Sequence, residues 1–195
     1  MYELPISVDI AGQSFAIRDK GDFRMVLDCF AMLNDYNVEF KERIAGALMT
    51  FYDGIKELSD LEKLGDLEEA VKEMYKFFNC ETPEVEQSHK DYKLIDWEID
   101  EMLVSSAINQ VIGKEIRSEP YVHWWTFMGY YMAIGECTLS TVVSIRHKIA
   151  ASEKLEKYEK KFRIENPQYF TFDVRSKRQQ EDEAEIRRLW NSGEG

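Results

Sequence analysis

Positive charge is the first scarcity. Lys and Arg number 25 against 37 Asp and Glu in 195 residues, a formal charge of −12. Sequence-independent binding of nucleic acid needs clustered cations to displace condensed counterions, so this balance argues against it. Cysteine is scarce as well: Cys29, Cys80 and Cys137 are odd in number and never form a CxxC pair. Their apolar neighbours at helical positions predict buried, reduced thiols and a reducing compartment, not a disulfide framework. His89, His123 and His147 share no ligand spacing, so no metal centre is expected. Long apolar runs are missing too. The least charged stretch, residues 121–145, is interrupted by His123, Gly129, Gly135 and Glu136, which argues against a membrane span. Met1-Tyr2-Glu3-Leu4-Pro5 has neither a basic nor an apolar run, and no secretory signal is expected. HExxH, GxGxxG, GxxxxGK[ST] and GxSxG are all absent. With them go the simplest sequence signs of zinc, dinucleotide, phosphate and acyl-transfer sites.

What is present is apolar and mostly helical in period. Apolar residues make up 44% and aromatics 13%, enough for a chain of this length to bury a core. Residues 4–17 alternate around Ala11-Gly12, with Ile6, Val8 and Ile10 assigned to one face, which predicts a β-hairpin. Its free edge is a hint of self-association. Asp22 reads as an N-cap ahead of Phe23, Val26, Leu27, Phe30 and Leu33. Helical spacing recurs over residues 40–51, closed by Gly54, and over residues 66–78. Asp96 opens a fourth helix along Ile99, Met102, Leu103, Ser106, Ile108 and Val111, ended by Gly113. Pro120 begins a fifth carrying Trp124, Phe127, Met128, Tyr131 and Met132. Thr138 caps a sixth that runs on into the charged stretch 153–163, until Asn166-Pro167 breaks it. The expected fold is mainly α: a compact helical domain of about six helices with a short N-terminal β-hairpin.

The expected organisation is a hairpin with helices over residues 1–80, a polar linker over residues 81–95, a helical core over residues 96–166, and a charged tail over residues 167–195. In the tail Ile186, Leu189 and Trp190 are the large apolar residues after Arg175. Such a segment has little apolar area to offset its ordering entropy, so it predicts either a helix that folds on a partner or disorder.

Asp96 and Asp100 lie one helical turn apart. They read either as paired carboxylates for acid–base or metal work, or as acids favoured at a helix N-terminus, and the second reading is the simpler. Arg146 follows a long apolar face, and a structural salt bridge to the Asp96/Asp100 flank is expected. His123-Trp124-Trp125 is the sharpest local feature. It reads as a core anchor or as an aromatic hot spot for another protein, with at least one Trp assigned to the core. Trp124, Trp125, Phe127 and Tyr131, with Ile186, Leu189 and Trp190, form the candidate partner-binding set. Asp96, Asp100, His123 and Arg146 form the structural set. No catalytic, cofactor or metal residue is assigned.

The core stretch also resembles a known family. Asp96 and Asp100, Gly113-Lys114-Glu115-Ile116, Val122-His123-Trp124-Trp125-Thr126-Phe127 and Ile145-Arg146 are similar to the pattern of the bacteriophage "gene product fifteen" family. So is the hairpin at Leu4-Pro5, Val8, Ile10 and Gly12. The resemblance covers most of residues 4–150, the Gly113 turn departs from the usual form, and the tail after Asn166 matches nothing in it. It implies a non-enzymatic tail assembly chaperone or scaffold in the cytoplasm of an infected or lysogenic host, with no cofactor. The implied partners are helical apolar segments of the tape-measure protein, the major tail protein, and other copies of the chain. The other readings are a structural virion component of the tail or connector and, least favoured, a metal-dependent enzyme.

Overall fold

The computed structural model describes residues 3–82 and 94–170, and the fold is mostly helical with a two-stranded antiparallel hairpin. The chain divides into two compact units. The first holds residues 3–82 and 121–128, the second residues 94–120 and 129–170.

In the first unit β1 (Ser7–Ile10) pairs with β2 (Gln13–Ala16), Val8 opposite Phe15. Ala11 and Gly12 both have positive φ, 50° and 82°, the two-residue turn whose twist suits a hairpin. Ile10 and Ile17 are buried while Ile6 is 51% exposed, so the expected Ile6–Val8–Ile10 face is not a single buried face. Along β1 the last residue is buried, Val8 is half-buried, and Ser7 and Asp9 are exposed. Arg18 follows the hairpin, and its guanidinium donates to the carbonyls of Met49, Thr50, Tyr52 and Ile55 at 2.9–3.1 Å. One side chain thereby satisfies carbonyls that the end of a helix leaves unpaired.

That helix is α2 (Phe40–Phe51), packed against α1 (Phe23–Asn34). Asp22 caps α1 by accepting from the Arg24 backbone N–H at 3.0 Å. A 3₁₀ segment, Leu58–Leu64, leads to α3 (Leu67–Phe78), capped by Asp66, which accepts from Glu68 and Glu69. Ala70, Val71, Met74, Phe77 and Phe78 fall on its buried side, as their spacing predicts. Phe51, Tyr52, Phe77 and Phe78 meet mostly edge to face, the arrangement ring quadrupoles prefer.

In the second unit α4 (Glu101–Ile112) begins later than Asp96. Asp96 caps a separate turn before it, accepting from Glu98 and Ile99, and Asp100 is the residue at the helix start. The buried side of α4 is Val104, Ser105, Ala107 and Ile108; Ile99, Met102 and Val111, expected on the core face, are exposed. Gly113 ends α4 at φ 72°, the left-handed position expected of it.

α5 (Trp124–Met132) starts at Trp124, not at Pro120, because Val122 is drawn into bonds with Asp22 and Phe23, and His123 into a bond with the Pro5 carbonyl. Its residues 124–128 belong to the first unit and 129–132 to the second. α6 (Thr138–Ala150) is capped by Cys137, one residue before the expected Thr138. It does not continue through the charged stretch: the chain turns at Ala151-Ser152 and starts α7 (Lys157–Glu165), followed by a 3₁₀ turn Pro167–Phe170. Of the expected linker only residues 81, 82, 94 and 95 are described. Ile186, Leu189 and Trp190 lie outside the described residues.

Candidate functional site

Two polar nodes gather His123, Trp124 and Trp125 in the first unit and Asp100 and Arg146 in the second. The first node is His123 and the two tryptophans. His123 is 2% exposed. Its Nδ1 accepts from the Trp125 backbone N–H at 3.1 Å, so Nε2 carries the proton and donates to the Pro5 carbonyl at 2.9 Å. Burial pushes the His123 pKa below its ordinary value, while the Pro5 bond and the nearby Asp22 charge act the other way. The Asp22 carboxylate accepts from Val122 N–H at 2.9 Å, and Phe23 N–H donates to the Val122 carbonyl at 2.9 Å. The start of α5 is thus stitched to the start of α1. Gly21 sits against this node: a Cβ there would lie 2.7 Å from the Phe77 ring and 3.0 Å from His123 Nε2.

Trp124 and Trp125 point their indole N–H groups at the last turn of α3. Trp124 donates to the Phe78 carbonyl and Trp125 to the Phe77 carbonyl, each at 2.9 Å. Trp124 is fully buried, stacked near Phe127 at 5.5 Å and tilted against Phe30 at 5.9 Å. Phe127 stacks on Phe23 at 4.5 Å. Both rings are internal to the first unit, so Trp124 and Phe127 do not offer a surface to a partner, which corrects their assignment to the partner-binding set. Trp125 is half-buried, and its ring is tilted against Phe77 at 6.0 Å.

The second node is the Asp100–Arg146 pair in the second unit. Arg146 Nη1 and Nη2 meet the two carboxylate oxygens at 2.6 and 2.9 Å, and both side chains are buried. Nη1 also donates to the Leu94 carbonyl at 2.9 Å, and Nε and Nη2 donate to the Tyr169 carbonyl at 2.9 and 2.7 Å. All five donors of the guanidinium are used, the condition under which a buried ion pair is not a liability. The salt bridge expected on this flank is made by Asp100, while Asp96 accepts from the Glu98 and Ile99 N–H groups as a turn cap. Asp100 and Arg146 were legible as partners; Leu94 and Tyr169 were not, because carbonyl acceptors leave no trace in residue type, and the Lys148–Glu159 pair at 2.6 Å was hidden among the many charges of residues 153–163.

The second unit also exposes large apolar side chains. Met102 is 66% and Met132 71% exposed, with Ile99 at 53%. Met102 borders an open groove of about 430 Å³ along α4, with Ser105, Ser106, Asn109, Gln110 and Arg117. Arg117 is held between Glu115, at 2.8 Å, and Glu101, at 3.7 Å. Tyr131 is half-buried, tilted against Trp97 at 5.4 Å. Among the described residues no group of three or more His, Cys, Asp or Glu is placed to hold a metal ion, and no helix is long and apolar enough to cross a membrane.

The family model described as Bacteriophage Gp15 protein matches residues 1–170. The chain belongs to the bacteriophage Gp15 family. Neither the curated proteins nor the solved structures give a match. Membership in the Gp15 family makes this a phage protein and suggests a structural component of head–tail connector type. The matched span covers the hairpin, both polar nodes and the turn that bears Tyr169.

Proposed function

We propose that this Gp15-family protein is a non-enzymatic assembly protein of the phage tail, acting in the host cytoplasm on helical apolar segments of the tape-measure protein. The supporting observation is where the chemistry is spent. His123, Asp22, Asp100 and Arg146, the buried polar residues a catalytic reading would need, are engaged in holding backbone segments together. The large apolar side chains that the second unit leaves exposed include Met102, Met132 and Ile99. Flexible, polarisable methionines adapt to varied apolar partners, and a formal charge of −12 keeps a protein with such side chains soluble. A tape-measure protein is long and helical, and its apolar stripes need cover until the tail tube encloses them. The major tail protein and further copies of this chain are the other partners in this reading.

Co-expression with the tape-measure protein tests it. A soluble complex that co-purifies supports the proposal, and a client that stays insoluble and unbound defeats it. The second reading, a structural component of the connector, is favoured by the family itself. Peptide mapping of purified virions separates the two, since an assembly protein is absent from finished particles and a connector component is present.

A further inference from the structure

Residues 138–165 contain neither glycine nor proline, yet the chain bends sharply between α6 and α7. α6 closes with Glu153 N–H on the Lys148 carbonyl at 2.7 Å and Ser152 N–H on the Ile149 carbonyl at 3.1 Å. This paired closure needs a left-handed residue, usually glycine; here Ser152 takes it at φ 59°. Ala, Glu, Lys and Leu around the bend are good helix formers, so local preference opposes the observed backbone.

The bend is held from outside by two polar clasps. Lys148 Nζ meets Glu159 Oε1 at 2.6 Å, and Glu159 also accepts from Glu156 N–H at 2.7 Å, starting α7. The Lys148 bond holds the Glu159 carboxyl below its ordinary pKa, which keeps the clasp charged. Arg146 binds the Tyr169 carbonyl twice. Apolar cover is thin: between residues 153 and 170 Leu155 is the buried apolar side chain, while Tyr158 and Ile164 are 65% and 78% exposed. Segments with few buried apolar contacts are those that open independently of the core.

We propose that residues 138–165 are a two-state element: the bent form seen here, and a straight form in which α6 runs through residues 151–156 into α7 as one helix. Straightening returns Ser152 to right-handed backbone and breaks both clasps. It parts Lys148 from Glu159 by about 16 Å at 1.5 Å per residue. It also frees the Nε/Nη2 edge of Arg146 for a carbonyl or carboxylate supplied by a partner, without disturbing its pairing with Asp100.

Spin labels on Ser144→Cys and Ile164→Cys, both exposed positions, read the two states by dipolar distance measurement. The background is Cys80→Ser and Cys137→Ser, with Cys29 left in place because it is buried and its thiol pKa is raised. One continuous helix puts these positions about 30 Å apart. The labelled protein should show mainly a shorter distance. Glu159→Ala, and separately Lys148→Met, should move population to the long distance with helical circular dichroism kept or increased. Adding Ser152→Gly should return it to the short one. A single short distance in both clasp variants overturns the proposal. So does a broad distribution with loss of helix signal, which would mean that α7 frays instead of joining α6.

Discussion

At the residue scale His123 carries a sign that can be measured. Its folded pKa lies below the ordinary value of 6.5 because burial disfavours the imidazolium. The neutral ring is also the one that can accept from Trp125 N–H at Nδ1. Above pH 6.5 the ring is neutral in both folded and unfolded chains, and its contribution is fully present. As pH falls below 6.5 the unfolded chain binds the proton first, so stability declines until the folded pKa is passed. Denaturant midpoints between pH 7.5 and pH 5 should fall for the wild type and fall less for His123→Gln. Equal slopes would remove His123 from the account. Arg146 behaves differently, because its worth lies in completeness. Arg146→Met leaves the Asp100 carboxylate buried without its partner and should destabilise the second unit by about 3–5 kcal/mol. The double variant Asp100→Leu with Arg146→Met should recover much of that loss, measured by urea unfolding.

At the scale of elements, the tryptophan pair works as a cap supplied by another part of the chain. Trp125→Phe keeps the ring on Phe77 but removes the N–H that the Phe77 carbonyl accepts. That should cost about 1–2 kcal/mol, and amide exchange should quicken in the last turn of α3 before other helices respond. The same comparison marks what was legible. α3 could be read from sequence because Asp66 announces its start and its apolar residues keep helical spacing throughout. α4 was harder. Its real inner face uses Ser105 and Ala107, small residues that look neutral, while Met102 and Val111 look like core and are exposed. The start of α5 depended on Asp22, 100 positions away from Val122, and no local pattern reports such a bond. The break after α6 was illegible for a physical reason: nothing in residues 151–156 forbids a helix, and the turn depends on Glu159 and Tyr169 further along. Asp100 and Arg146 were readable as a pair because charges placed among apolar residues need partners.

Across the whole chain, charge and exposed apolar side chains pull in different directions, and the proposed role depends on both. An excess of twelve negative charges repels itself, so screening it should raise the thermal midpoint as ionic strength approaches 1 M, where the Debye length is about 3 Å. Binding an apolar helix through methionines should survive the same salt, because burial of apolar area does not depend on screening. The discriminating variant is Met102→Glu combined with Met132→Glu. Both side chains are largely exposed, at 66% and 71%, so folding should change by no more than about 0.5 kcal/mol per site. Placing a carboxylate on an apolar contact that must be desolvated should nonetheless abolish co-purification of the tape-measure protein. Trp124→Phe supplies the opposite control: it should lower stability, since it removes a buried bond to the Phe78 carbonyl, yet spare client capture wherever the protein remains folded. If the double glutamate variant still captured its client while Trp124→Phe, still folded, lost it, the contact surface would have to lie elsewhere than on these methionines.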